Sequence, residues 1–539
     1  MAPRLVERTY PGKPMGLDYL ASVLQEEGWA VEIIDVDLVG LDDYLALLKK
    51  NAFDLIGMTA MSIQVDECNT LARWTRVLSP SSVLIRGGAH DTFAYSQSCE
   101  THRDLYDAYI VGEGEETLRE VARTVLCGDF HDRRKKIAGL AYWDGEARFT
   151  GRRHPADVNE HLPLRLFHHP SYDFDVFDRR KTAQVLAARG CENACFYCSE
   201  AVSVHGRREF RRSPQNLKVE LLALKNERYE SVYFDDPTFT RDRDWVLAVC
   251  DELKNVGFTW GCNTRVDCLD DDLVDRMSAS GCKYLFCGFE SAAPEILRAM
   301  NKTSDPSAYL EAAVRSYSSL RRNNIPCSAF LVFGCPRMER IDGKVSYAPE
   351  TDHDVRTSLE FAIHTLDPDF LSMNVLRLLP GVPFSFAPQF ACVRPTGEEP
   401  IHGGHYDASW YEENRVSDLR SKHPILRAFE GCGSVNPPQM HPRRCFDILS
   451  LAVDMVNTKN SQNGKRQTKI IVDTRFERFL REEWKGGNRY YSLVAFEDID
   501  RIGSKEFDVK GSPLVRLDGP SLINTEVSVP GNLHSSAFR

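Results

Sequence analysis

Apolar residues follow two rhythms along this chain, one every three or four positions and one in short continuous runs. Between Met15 and Glu27, Leu17, Leu20, Val23 and Leu24 fall on one helical face. The apolar run Trp29–Val36 predicts a strand and Leu41–Lys49 a helix. Asp54–Thr59, Val83–Gly88 and Tyr109–Gly112 are short apolar runs ending in Thr or Gly, and a helix follows over Glu115–Val125. Strands that alternate with helices imply an α/β fold with a doubly wound parallel sheet, whose ligand lies beyond the carboxyl ends of the strands. Those ends carry Thr59, Gly87, Gly88, His90 and the turn Gly112-Glu113-Gly114-Glu115.

The first series covers residues 1–145. A stretch rich in His, Pro, Arg and Asp over 146–180 reads as a linker, and a second series starts at Lys181. Its strands are expected at Ala183–Ala188, Ser231–Phe234, Thr259–Thr264, Tyr284–Phe289, Ser328–Phe333 and Phe370–Leu376. Helices are expected at 214–227, 243–256, 270–280, 307–323 and 352–365. Six such repeats over 181–385 suggest a partial (β/α)6 barrel with its chemistry at the C-terminal mouth. Over 386–539 the pattern weakens to a mainly helical region with helices at 443–457 and 473–483. Its last thirty residues read as irregular.

Composition narrows the class. The 539 residues, 42% hydrophobic and 27% charged, describe a globular protein with more than one core. A net charge of −11 argues against broad nucleic-acid binding. No apolar run is long enough to span a membrane, and no secretory signal is visible. The 16 cysteines are spread without a disulfide-type pattern, so reduced thiols in the cytoplasm are expected.

Three of them are not scattered. Cys191, Cys195 and Cys198 stand as C-E-N-A-C-F-Y-C just after the first strand of the second series. A structural zinc site wants four ligands, usually in two spaced pairs, and no fourth cysteine lies within fifty residues downstream. Three thiolates suit a 4Fe–4S cluster with one iron left open to an outside molecule. Cys262, Cys268, Cys282, Cys287, Cys327 and Cys335 fall singly on strands and helix ends, where a thiol packs as a small hydrophobe. The basic run Arg207, Arg208, Arg211 and Arg212 suits either an anionic ligand or a solvated face. His402-Gly403-Gly404-His405 reads as a loop.

With C-x3-C-x2-C after a barrel strand and Tyr197 before the last cysteine, the chain resembles radical S-adenosylmethionine (SAM) enzymes that carry a cobalamin-binding domain. The likeness extends over residues 10 to 385. The stretches P-M-G-L-D-Y-L-A, D-L-I-G-M-T, G-G-A-H-D-T and V-G-E-G-E-E-T-L add to it, as does R-L-L-P-G-V-P at the end of the barrel. The resemblance implies a Rossmann-like cobalamin-binding domain with Thr59, Gly87, Gly88, His90, Gly112, Glu113 and Gly114 at the cofactor. It implies a cluster on Cys191, Cys195 and Cys198, and contacts to SAM from Tyr197, Asp235, Asp236, Asn263, Arg265 and Glu290. Arg377 is a further candidate for the site, and Trp410, Tyr411, Trp484, Tyr490 and Tyr491 for lining its mouth.

Two departures stand out. Relatives begin with an apolar strand, whereas only MAPRLVERTY precedes the first helix here. Leu5–Val6 form a stub of that strand, the start is truncated, or the sheet is incomplete. The D-x-H-x-x-G motif that supplies a lower cobalt ligand is also missing; Asp35 and Asp37 lie in D-V-D-L-V-G. The resemblance implies a methyltransferase that moves a methyl from methylcobalamin to an unactivated carbon by way of a 5′-deoxyadenosyl radical. Its cofactors would be the 4Fe–4S cluster, SAM and cobalamin. An external flavodoxin- or ferredoxin-like electron donor and a small-molecule or peptide substrate would be its partners. The same cofactors also serve ring formation, rearrangement or oxidation without methyl transfer. A non-catalytic cluster- or cobalamin-binding protein is the third possibility.

Overall fold

The structure is a computed structural model that describes residues 14–160, 163, 181–202, 205, 207–376, 378–393, 442–462, 468–472 and 493–495. Arg377, the five C-terminal aromatics, the His402–His405 loop, Leu5–Val6 and the helix expected at 473–483 lie outside the described residues.

The N-terminal sheet has five strands in the order of the chain: β1 (Leu55–Thr59), β2 (Val83–Gly87), β3 (Ala108–Ile110), β4 (Leu140–Trp143) and β5 (Ala147–Phe149). β1, β2 and β3 pair parallel, with helices Val65–Leu78 and Ala89–Thr101 as the crossovers. β4 and β5 are antiparallel and extend the sheet past residue 145. Their connection is Asp144-Gly145, with Gly145 at φ +74°, the left-handed geometry that a tight hairpin needs. This Asp-Gly pair stands in the sequence directly after the apolar run Leu140–Trp143.

The strand expected at Trp29–Val36 is absent. Those residues run irregularly into a single helical turn at Val36–Val39. They do not pair along the outer edge of β1, which among the described strands pairs with β2 alone.

The second sheet holds eight strands, all paired parallel. Six follow the expected order: β6 (Thr182–Val185), β9 (Ser231–Phe234), β10 (Thr259–Arg265), β11 (Cys282–Glu290), β12 (Cys327–Phe333) and β15 (Phe370–Val375). β16 (Lys469–Val472) and β17 (Leu493–Ala495) then continue the sheet beyond β15, so the C-terminal region is not only helical. Two hairpins are also additions, β7 (Ala188–Gly190) with β8 (Glu209–Arg211), and β13 (Arg337–Ile341) with β14 (Lys344–Ala348).

The helices begin where side chains cap them. Ser213, Asp242, Asp270 and Asp305 each accept a hydrogen bond from a first-turn amide, and Thr351 with Asp354 forms a reciprocal capping box. Between helices and sheet lies one apolar core, including Val232, Phe234, Trp260, Cys262, Leu285, Cys287 and Leu331. Cys282, Cys327 and Cys335 are likewise buried free thiols, whereas Cys268 is half-buried. Among the described residues, no helix is long and apolar enough to cross a membrane.

Candidate active site at the barrel mouth

The cysteine loop leaves the barrel at β7. Gly190 has φ +80°, and a Cβ there would stand 2.3 Å from the Arg208 carbonyl oxygen. Only glycine lets β7 and β8 pair this closely before the first cysteine. The loop is then gripped from two sides. The Phe196 amide donates to the Met300 carbonyl (2.9 Å), Asn301 Nδ2 donates to the Ala194 carbonyl (2.9 Å), and the Phe384 amide donates to the Phe196 carbonyl (3.2 Å). The Phe196 ring packs against Phe384 and Phe390, with centroids 6.4 and 5.4 Å away.

Cys191 and Cys195 are buried and Cys198 is half-buried. Asn193 Nδ2 points at Cys191 Sγ (3.3 Å) and Arg265 Nη1 at Cys195 Sγ (3.6 Å), so two donors face sulfur. Burial pushes the Cys198 thiol up to about 12, a cost that metal coordination removes because iron binds the thiolate. Among the described residues, no group of three His, Cys, Asp or Glu side chains could hold a metal ion. A cluster asks for a different layout, since each cysteine holds a separate iron. Three thiols on one gripped loop at the mouth therefore fit it.

At the ends of β9 and β10 the predicted side chains meet. Asn263 Nδ2 donates to Asp235 Oδ1 (3.2 Å) and to the Asp236 carbonyl (3.3 Å), while the Tyr233 hydroxyl donates to Asn263 Oδ1 (2.5 Å). Burial, partly offset by Asn263, pushes the Asp235 carboxyl up to about 6. Burial also raises the Asp236 carboxyl well above the ordinary carboxylate range. Its Oδ1 accepts from the Ala188 amide, and its buried Oδ2 has no partner. Arg265 is committed elsewhere. Its guanidinium forks onto Asp267 (2.9 and 2.8 Å) and donates to the Lys302 carbonyl (2.8 Å) as well as facing Cys195.

β11 ends abnormally. Its register against β12 shifts between Gly288 and Glu290, and Glu290 sits at φ +72°, a region that non-glycine residues seldom occupy. Glu290 Oε1 accepts from Lys302 Nζ (3.0 Å) and from the Tyr197 hydroxyl (3.0 Å), while its buried Oε2 is unpartnered. Burial and then the Glu290 charge keep the Tyr197 phenol protonated. Unpartnered carboxylate oxygens on Asp236 and Glu290 fit a ligand with ammonium and hydroxyl donors, as SAM has.

The strand ends of the first sheet are built from backbone. Gly88 has φ +107°, and a Cβ there would lie 2.8 Å from Thr59 Oγ1 and 2.9 Å from the Ala60 carbonyl. The Gly112 amide donates to Thr92 Oγ1 (3.1 Å), and His90 Nδ1 pairs with Ser62 Oγ (3.1 Å). Burial lowers the His90 pKa, favouring neutral imidazole. Bare backbone at Gly87, Gly88, Gly112 and Gly114 suits the face of a broad macrocycle.

Glu113 does something else. Its Oε1 accepts from Arg189 Nη1 (2.8 Å) and pairs with His205 Nε2 (2.9 Å), and Arg189 also meets Glu115 (2.7 Å). Burial raises the Glu113 pKa, but His205 and Arg189 outweigh it and hold the carboxyl below its usual range. This turn of the first sheet is thus tied to the strand leading into the cysteine loop. A second junction lies at Gly381, φ +82°, where a Cβ would fall 2.4 Å from the Phe93 ring. Arg212 takes no part in the mouth; it is buried against Glu220 (2.5 Å). Sequence reasoning missed Arg189, His205, Asp267 and Lys302, because single charged residues outside motifs give no signal before the fold pairs them.

Comparison with known proteins agrees with this arrangement. The family model for the B12 binding domain matches residues 2–122, and that for the radical SAM superfamily matches residues 185–336. An uncharacterized methyltransferase of Pyrococcus horikoshii, PH0819, is 26% identical over 381 residues, covering 69% of this chain and 77% of that protein. The anaerobic magnesium-protoporphyrin IX monomethyl ester cyclase of Rubrivivax gelatinosus is 27% identical over 340 residues, covering 60% of this chain and 59% of that protein. Among solved structures, the radical SAM methyltransferase TsrM from Kitasatospora setae, with cobalamin and a [4Fe-4S] cluster bound, shares the fold. Its TM-score is 0.59 over 82% of this chain and 97% of that one, at 19% identity. With a B12-binding domain followed by a radical SAM domain, the chain belongs to the cobalamin-binding-domain radical SAM enzymes.

Proposed function

We propose that this enzyme is a cobalamin-dependent radical SAM methyltransferase that adds a methyl group to an unactivated carbon of a small biosynthetic intermediate. The observation that carries this is the junction of Glu113 with Arg189 and His205, which holds a glycine-built turn of the B12-binding domain against the cysteine loop. When bound, the cluster and SAM supply a carbon-centred radical and cobalamin supplies the methyl group.

The chain's own part is to hold and to shield. Cys191, Cys195 and Cys198 would hold the 4Fe–4S cluster, which would bind and reduce SAM. Asp236 Oδ2 and Glu290 Oε2 would accept from polar hydrogens of SAM, with Asp235, Asn263 and Tyr197 around them. Arg265 acts on the cluster loop through Asp267, Lys302 and Cys195 rather than as a free cation. Thr59, Gly87, Gly88, His90, Gly112 and Gly114 border the corrin, and Glu113 fixes that border to the barrel. Phe196, Phe384 and Phe390 close one side of the mouth to water.

On this reading, residues 1–145 bind cobalamin, 181–385 carry the radical chemistry and 386–539 handle substrate. The enzyme works in the cytoplasm with an external flavodoxin- or ferredoxin-like donor. A second reading, ring formation without methyl transfer, is favoured by the likeness to the Rubrivivax cyclase. Anaerobic reconstitution with iron, sulfide and methylcobalamin, then SAM and reductant, separates the two by mass spectrometry. Methyl transfer yields both 5′-deoxyadenosine and S-adenosylhomocysteine. Deoxyadenosine alone supports the second reading, and deoxyadenosine without bound cobalamin rejects both.

A further inference from the structure

Lys302 lies on no motif, yet its side chain is only 3% exposed, and its Glu290 partner is 6% exposed. A buried ammonium is costly unless paired, and the placement of this one is specific. Nζ donates to Glu290 Oε1 (3.0 Å) and to the Tyr197 hydroxyl (3.3 Å). The carbonyl of the same residue accepts from Arg265 Nη2 (2.8 Å), whose Nη1 faces Cys195 Sγ. Tyr197 lies between Cys195 and Cys198, so these bonds form a closed circuit: Cys195, Arg265, Lys302, Glu290, Tyr197 and back into the cysteine loop.

Neighbouring residues are shaped to admit it. A Cβ on Gly288 would lie 2.8 Å from Glu290 Oε1 and 3.3 Å from Lys302 Nζ, so the glycine leaves the room the ion pair occupies. The Tyr309 hydroxyl donates to the Gly288 and Phe289 carbonyls (3.0 and 3.1 Å), bracing the bulge that turns Glu290 into its left-handed conformation. Backbone strain at a buried ion pair, with one carboxylate oxygen left open, is what a preorganised binding group looks like. With Oε1 taken by Lys302 and Tyr197, Oε2 is the oxygen available to a ligand.

We propose that Lys302 is a positioning residue that holds Glu290 Oε1 and so aims Oε2 at SAM, while its carbonyl anchors Arg265 beside the cluster loop. The inference rests on the cofactor reading above, and its test needs no substrate. The electron paramagnetic resonance spectrum of the reduced cluster is titrated with SAM in the full-length reconstituted protein, in Lys302→Met, in Glu290→Gln and in the double variant.

Both single variants are expected to keep wild-type iron content and to need at least about tenfold more SAM for the spectral change. The double variant is expected to be no worse than either single one, because both remove the same unit. Wild-type SAM dependence in Lys302→Met would overturn the proposal, as would losses that multiply in the double variant. Should Lys302→Met fail to fold or to hold its cluster, the double variant decides. A folded, cluster-bearing double variant with weakened SAM binding supports action through Glu290, and a double variant that also fails overturns it. A wild-type protein whose spectrum ignores SAM would instead reject the cofactor reading itself.

Discussion

The strand ends of the two sheets are made from opposite materials. Those of the first sheet offer glycine backbone, with Gly88 and Gly112 at positive φ and the nearby His90 favoured as neutral imidazole. Those of the barrel offer charge: Asp235 and Asp236 on one strand end, Glu290 with Lys302 beside another, and Arg265 forked onto Asp267. Shape suits a large flat ligand gripped over its whole face. Charge suits a small ligand fixed at a few polar atoms, where low dielectric strengthens each contact. Glu113 is the exception that joins them, a carboxylate from the glycine-built side committed to Arg189 and His205 of the charged side.

Breaking the charged side should have the largest effect. Cys195→Ala removes one iron ligand and the sulfur that Arg265 faces, so cluster iron and 5′-deoxyadenosine formation are expected to be lost. Cobalamin uptake, followed by visible absorption, should persist. Concurrent loss of cobalamin uptake would show that the two sides do not bind independently.

The reciprocal change is Gly88→Val. A β-branched side chain at φ +107° against Thr59 and Ala60 costs about 1–3 kcal/mol of local strain and deforms the turn. Cobalamin affinity is expected to fall at least about tenfold, a change equivalent to 1.4 kcal/mol. The SAM-dependent spectrum of the cluster should stay as in the wild type. Unchanged cobalamin affinity would remove this turn from the cofactor border.

The smallest effect sharpens the comparison through pH. The Asp235 carboxyl is raised to about 6 in the fold, above its ordinary value, so the folded chain holds that proton more tightly than the unfolded one. Above pH 6 both states are ionised and the fold bears the full desolvation penalty. As pH falls through 6 toward 4 the penalty disappears. Asp235→Asn is therefore expected to stabilise the cofactor-free protein at pH 7 by about 1–3 kcal/mol, a gain that vanishes near pH 4. Thermal melts across that range measure it. A gain independent of pH would assign the effect to packing instead. A carboxylate that weakens the empty protein is consistent with a group kept for its ligand.

Periodicity placed the six expected barrel strands well because each is an apolar run, with caps such as Ser213, Asp242 and Asp270 marking the next helix. It failed at Trp29–Val36, an apolar run that leads into a helical turn and does not pair along the outer edge of β1. It also passed over β4 and β5, and over both small hairpins, in which strands such as RMERI (β13) and EFR (β8) carry charges that interrupt an apolar run.

The sequence by itself determined the order of the six expected barrel strands and their helices, the cysteine triad with its glycine entry, and the acidic strand ends Asp235, Asp236 and Glu290. Local spacing and side-chain chemistry suffice for these. Only the tertiary structure decided that Arg265 serves the loop rather than standing free, that Glu113 bridges the two sheets, and that Lys302 meets Glu290 and Tyr197. Arg189 and Glu113 are 76 positions apart, and Lys302 and Tyr197 are 105 apart. A lone charge carries no periodic or motif signal, so its partner is chosen by where the chain brings the two together and by the cost of burying either alone.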